Sequence, residues 1–287
     1  MMNRVRHSLL GMPFRRTINH VVLSMALASS CIAAELVVTG HRGASAVAPE
    51  NTLAAFRQAW QEGADAVEGD FRLTLDNQIV CIHDANTQRV TGTARTVADC
   101  TLAELRQLDY GSWKNARFAG ETCPTFTEVF GTLPKDGRFF VELKTGPEIV
   151  SPLKAEIERL PTGSAEQLIL IAFDLETVLA CKRLLPTITT HWLTSFRETR
   201  KGSGKWRPTA AEIATTVSRL GVDGVGLQAN QEQLTDRFFQ ELQAGGVQQV
   251  HVWTVDQPQD AAFFRAQGVM GITTNRPAAI KKSLRLP

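Results

Sequence analysis

The chain has 287 residues, 43% hydrophobic and 21% charged, which excludes a disordered, collagen-like or multi-span membrane protein. Its 31 Lys and Arg against 29 Asp and Glu give a formal net charge of +2, but the first 34 residues hold four of the basic side chains and no acidic one. Residues 35–287 therefore carry 27 basic and 29 acidic groups, a net −2 that excludes the basic footprint of a nucleic-acid binder.

At the N-terminus, Arg4, Arg6, Arg15 and Arg16 precede a 14-residue apolar run, 21–34, that ends in small residues. This order predicts a secretory signal peptide over 1–34, cleaved near Ala34. The apolar run is shorter than the ~18 residues a permanent bilayer helix needs. The expected destination is the periplasm or the exterior, with no membrane span in the cleaved chain. Cys31, as a lipidation site, and Arg15-Arg16, as a twin-arginine signal, leave two export variants open.

Beyond the leader, short apolar runs alternate with amphipathic stretches, the pattern of a parallel sheet covered by helices. Eight runs predict strands: 36–41, 66–73, 138–144, 168–173, 189–194, 224–228, 249–255 and 271–274. Helical periodicity falls between them at 52–61, 148–160, 175–184, 210–220, 233–243 and 260–267. The 253 residues of 35–287 match the length of one (β/α)8 TIM barrel, about 250. A ninth run, 79–83, follows the second strand after only Asp76, Asn77 and Gln78. So short a link cannot make a parallel crossover, and it predicts an extra hairpin strand on the barrel rim. From about 84 to 124 comes a small insertion with its own helix at 102–108, expected as a cap at the barrel mouth. Cys81 and Cys181 lie in apolar segments and are expected in the core. Cys100 and Cys123 flank the insertion, and a disulfide between them stays open.

Strand parity places the chemistry. Residues two apart in a strand face the same side, so Glu68 and Asp70 share a face, as do Glu142 and Lys144. Val67, Phe71, Phe139, Val141 and Leu143 take the opposite face, toward the helices. Three carboxylates thus point inward near strand ends, where a barrel builds its active site. Ion pairs with Arg42 and Lys144 would satisfy one of them. Three together call for a hard divalent cation, Mg²⁺ or Ca²⁺, which takes oxygen ligands. His41 ends the first strand and His83 the extra strand, at the same rim, and they suit an acid–base pair, since imidazole titrates near neutrality. His251 and Trp253 share an inward face.

Several ordered motifs carry a resemblance. They include His41-Arg42-Gly43, Pro49-Glu50-Asn51-Thr52, Glu68-Gly69-Asp70, His83-Asp84 and Glu142-Leu143-Lys144. LAELRQLDYG at 102–111, Pro124-Thr125-Phe126, VWTV at 252–255 and GITTNRP at 271–277 complete the set. In order and spacing these resemble the glycerophosphodiester phosphodiesterase family over the whole of residues 35–287. The resemblance implies His41 and His83 as general acid and base, and Glu68, Asp70 and Glu142 as holders of one divalent cation. It implies phosphate contacts from Arg42 and Lys144 and a pocket wall at Trp253. Glu50 matches too, either as a substrate contact or as a brace, while Asn51 is expected to cap the following helix. The implied reaction is hydrolysis of a small glycerophosphodiester to glycerol 3-phosphate and an alcohol. A lysophospholipid or phosphoinositide substrate, or a barrel that binds without catalysis, are the alternatives. Departures from the family pattern are Gly69, in place of a bulkier outward residue, and Asn275 and Asp256, which resemble an exchange of the family's usual Asp and Asn. The sequence carries no signature of oligomeric state.

Overall fold

The structure, a computed structural model, describes residues 36–286. The expected signal peptide lies outside the described residues.

Eight parallel strands close into a ring. They are β1 (Val37–His41), β2 (Ala66–Leu73), β4 (Arg138–Leu143), β5 (Leu168–Ala172), β6 (Thr189–Thr194), β9 (Gly224–Gln228), β10 (Gln249–Trp253) and β11 (Gly271–Thr274). Their order runs β1-β11-β10-β9-β6-β5-β4-β2, and β2 pairs back onto β1, so the expected TIM barrel is the fold. Between strands run α1 (Leu53–Gln61), α5 (Val150–Ile157), α6 (Leu175–Leu184), α7 (Ala210–Leu220), α8 (Asp236–Ala244) and α9 (Pro258–Ala266). No helix among the described residues is long and apolar enough to cross a membrane.

The predicted extra strand is β3 (Ile79–Cys81), antiparallel to the outer half of β2 with Phe71 opposite Cys81. It pairs with β2 beyond the point where β1 leaves it. The insertion holds α2 (Gln88–Thr91) and α3 (Leu102–Leu105), over a satellite core of Val80, Ile82, Val90, Val97, Leu105 and Tyr110. Cys100 and Cys123 join that core as free thiols, and Cys81 and Cys181 are buried as expected. Not foreseen were α2, α4 (Phe126–Phe130), α10 (Pro277–Leu284) and a two-residue ladder of β7 (Arg197–Glu198) with β8 (Trp206–Arg207).

Strand alternation sorts the core into two shells. Outward, Phe71 and Phe139 pack edge to face at 5.7 Å, with Phe126 of α4 stacked on Phe139 at 5.9 Å. Gly69 also faces outward, where a Cβ would press within 3.1 Å of Phe56. Inward, Val37, Ala66, Phe140, Ile169, Ile171 and Leu193 fill the barrel. Two imidazoles share this interior: His191 and His251 stack at 5.3 Å with their Nδ1 atoms 3.1 Å apart, and His191 Nε2 sits 3.0 Å from Gln249 Oε1. Space for them comes from β9, because a Cβ at Gly226 would lie 2.4 Å from His251 Nε2. Burial keeps both histidines below the ordinary imidazole range, His191 at about 4.

Candidate active site

Register sets the site. His41 lies opposite Glu68 across the β1–β2 ladder, and Asp70 lies opposite Glu142 across β2–β4. His41 and Glu142 sit at the C-terminal ends of their strands, level with Glu68 and Asp70 of the longer β2, beside a cavity of about 270 Å³ lined by Arg42, His83, Lys144 and Trp253 among others.

The turn after β1 is unusual. Arg42 and Gly43 both take left-handed backbone (φ 55° and 79°), and at Gly43 a Cβ would collide with Ala55 at 2.4 Å. A non-glycine residue in this conformation is costly and marks a constrained site. The turn points the Arg42 amide at Glu68 Oε2 (2.9 Å), while its guanidinium reaches Glu50 Oε1 (2.8 Å) and Asp70 Oδ2 (3.1 Å). Asn51, also left-handed (φ 59°), donates to Asp70 Oδ2 at 2.8 Å and accepts from the Asp70 amide at 3.2 Å. The expected cap role of Asn51 is therefore wrong. Thr52 is the N-cap of α1, accepting from the Ala55 amide, and Asn51 is bent inward to grip Asp70.

Glu68, Asp70 and Glu142 each offer an oxygen within 4.8 Å of the others. Glu68 Oε1 and Asp70 Oδ1 are buried without a hydrogen-bond partner, and only Glu142 takes a full bond from Lys144 Nζ, at 2.7 Å. Burial, with the neighbouring Asp70 and Glu142 charges, pushes Glu68 well above the ordinary carboxylate range. Burial and Asp70 lift Glu142 to about 7. Asp70 resists the same burial because Arg42 and Lys144 hold it below its usual value. Two buried carboxylate oxygens without a hydrogen bond, in an all-oxygen set, match the donors a hard cation takes, so these residues fit a bound divalent ion.

His41 Nδ1 lies 2.7 Å from Asn275 Oδ1, and its Nε2 lies 4.0 Å from Glu68 Oε2. Burial, then Arg42, lowers its pKa. His83 bonds Asp84 through Nδ1 at 2.6 Å. Although burial works against it, hydrogen bonds from Arg89 and His83 hold Asp84 at about 2. Arg89 donates from Nε to Asp84 (2.6 Å) and from both terminal nitrogens to Glu50 (2.8 and 2.9 Å). Glu50 thus has both oxygens engaged by arginines, the geometry of a brace. Arg72, two positions beyond Asp70, donates twice to the His83 carbonyl (2.8 and 2.9 Å). Across the cavity, Trp253 meets Phe173 edge to face at 5.4 Å. His251 reaches the cavity floor.

All nine predicted site residues thus converge on one rim, seven of them lining the cavity, with Asp70 and Glu50 both held by Arg42 of its wall. Sequence reading missed Arg72, Arg89 and the Asn51–Asp70 bond. Arg72 was signalled by sharing the parity of Glu68 and Asp70.

Residues 41–279 match the model of the Glycerophosphoryl diester phosphodiesterase family. The chain belongs to that family. A glycerophosphodiester phosphodiesterase of Caldanaerobacter subterraneus subsp. tengcongensis is 30% identical over 254 residues, covering 87% of this chain and 98% of the relative. One of Bacillus subtilis is 27% identical over 262 residues, 86% of each chain. Among solved structures, an Oleispira antarctica phosphodiesterase in complex with the product sn-glycerol-3-phosphate superposes with a TM-score of 0.76. It shares 25% identity, with 87% of this chain and 96% of that one covered. The family match spans both histidines, the three carboxylates and the barrel from the last residue of β1 onward.

Proposed function

We propose that this protein hydrolyses small glycerophosphodiesters to glycerol 3-phosphate and an alcohol, with one divalent cation, Mg²⁺ or Ca²⁺, held by Glu68, Asp70 and Glu142. One observation carries the reading: Glu68, Asp70 and Glu142 bring buried oxygens within 4.8 Å of one another, two of them without a hydrogen bond, beside a cavity that Glu68, Glu142, His41 and His83 line. The names of the relatives, and the product bound in the Oleispira neighbour, support the substrate class.

When bound, the cation supplies positive charge against the non-bridging phosphoryl oxygens. The protein's own groups do the rest. Arg42 and Lys144 face the same cavity and counter charge that builds on the phosphate in the transition state. His41 and His83 hold their Nδ1 atoms against Asn275 and Asp84, which leaves each Nε2 free for proton transfer. One histidine takes the proton of the nucleophile, which is water or the glycerol 2-hydroxyl, and the other protonates the departing alcohol. Trp253 and Phe173 give the opposite wall an apolar face against the carbon skeleton of the substrate.

The decisive experiment is chelation. EDTA should abolish release of glycerol 3-phosphate from glycerophosphocholine, and added Mg²⁺ or Ca²⁺ should restore it. Undiminished turnover in EDTA would refute the cation assignment. His41→Ala and His83→Ala should each lower turnover by ~10² or more with the fold retained. We also propose export of the chain by cleavage of the leader near Ala34. Mass spectrometry of the exported protein should find the first 34 residues gone; an intact N-terminus would oppose it.

A further inference from the structure

A chain of hydrogen bonds runs from His41 to the far side of the ring closure. The Asp256 carboxylate, just past β10, accepts from the Asn275 amide nitrogen Nδ2 (2.6 Å), the Asn275 backbone amide (2.8 Å) and the Thr274 hydroxyl (2.9 Å). An ionised carboxylate only accepts, so it dictates which end of the Asn275 amide faces it. Nδ2 points to Asp256, and Oδ1 is forced toward His41. That oxygen also only accepts. It takes the Ser45 hydroxyl at 2.7 Å, and the imidazole nitrogen at 2.7 Å can meet it only as a donor. The proton of neutral His41 therefore sits on Nδ1, and the lone pair sits on Nε2, the nitrogen turned toward Glu68 and the cavity.

We propose that Asp256 and Asn275 are positioning residues for the proposed hydrolysis, acting as a fixed polarity relay that selects the productive tautomer and ring orientation of His41. The proposal rests on His41 taking part in proton transfer. The relay itself is defined by bonding alone. Neither residue touches the substrate cavity, so their effect passes through the imidazole. Tautomer control of this kind is worth orders of magnitude in rate where a histidine transfers protons.

The relay has a reciprocal signature. In Asn275→Asp two carboxylates would meet where 2.6 Å now separates a donor from an acceptor. In Asp256→Asn the residue 275 amide loses the anion that fixes its sense. Each single variant should lower kcat by about 10-fold to 10²-fold with KM little changed, since no substrate contact is lost. The double exchange Asp256→Asn with Asn275→Asp restores one donor facing one acceptor, and His41 can still donate to residue 275. Its kcat should recover to within about threefold of the parent. ¹⁵N NMR of the Mg²⁺-loaded protein supplies a readout independent of turnover. The His41 ring, assigned by loss of its signals in His41→Gln, should show a protonated Nδ1 and a bare Nε2 when neutral, and that preference should weaken in Asp256→Asn. A bare Nδ1 in the parent, single variants with full kcat, or a double variant no better than the worse single one would each overturn the relay. If either single variant unfolds, the double variant and the parent's NMR spectrum still decide. A correct tautomer in a protein that turns over no glycerophosphodiester would sink the proposed function and leave the relay standing.

Discussion

Arg89 lies outside the cavity yet holds two residues that matter to it. Its guanidinium spans Asp84, the partner of His83, and Glu50, the partner of Arg42. Removing it leaves two carboxylates facing each other without their shared cation. Arg89→Gln should reduce kcat on glycerophosphocholine by about 10-fold, the scale of losing an outer-sphere partner, and Arg89→Lys should recover only part because a point charge cannot bridge both carboxylates. Asn51 makes a similar case for the cation. Asn51→Ala deletes both bonds to Asp70 and should weaken Mg²⁺ or Ca²⁺ binding by about 10- to 100-fold in calorimetric titration. Protons compete for the same oxygens. Glu142, lifted to about 7, takes up a proton in the ion-free protein on the acid side of neutrality, and burial beside Asp70 and Glu142 shifts Glu68 in the same direction. A raised carboxylic pKa favours the proton-carrying fold, so cation affinity should rise, with proton release, as pH climbs through 7. Titrations at pH 6 and pH 8 in buffers of different ionisation heat would detect it, and equal affinities with no released protons would contradict the shifts.

At the level of the elements, the barrel interior is shaped around two neutral imidazoles. His191 and His251 are buried, and burial holds both below the usual value of 6.5. A depressed base costs the fold nothing above the unfolded pKa. As pH falls through 6.5 the unfolded chain takes up the proton and the native one does not, and for His191 this continues to about 4. That interval corresponds to roughly 3 kcal/mol of lost stability. Urea unfolding at pH 7.5 and pH 5 should show the loss, and His191→Gln should flatten it. β9 accommodates these rings through Gly226, and Gly226→Val should destabilise by about 1–3 kcal/mol or more, because side chain and imidazole would claim one volume. Much of this architecture was legible in the chain. The period-2 alternation of 66–73 and 138–144 sorted carboxylates inward and phenylalanines outward, and the short link at 76–78 demanded a hairpin. What escaped was short or nonlocal. α2 and α4, of four and five residues, are too brief to show helical period. α10 had a signal in Pro277 at its first turn that went unused. The left-handed backbone of Asn51 made it a ligand brace instead of a cap, and nothing in its flanking residues distinguishes the two.

Taken as one body, the barrel gathers three buried carboxylates at a single mouth, and a bound ion should add to its stability. A ligand that binds only the native state stabilises it by about 2.7 kcal/mol at a hundred times its dissociation constant. In a domain of this size that corresponds to roughly 5–10 °C in melting temperature. Thermal melts with EDTA and with saturating Mg²⁺ or Ca²⁺ should differ by this order, and the difference should vanish in Glu68→Gln/Asp70→Asn. The bond between His41 and Asn275 spans 234 residues, from the opening strand of the ring to just beyond its last. A ribosome delivers the former long before the latter. Until synthesis is all but finished, His41 has no Asn275 to meet its Nδ1, so the proposed orientation of this imidazole can be set only once nearly the whole barrel has been made.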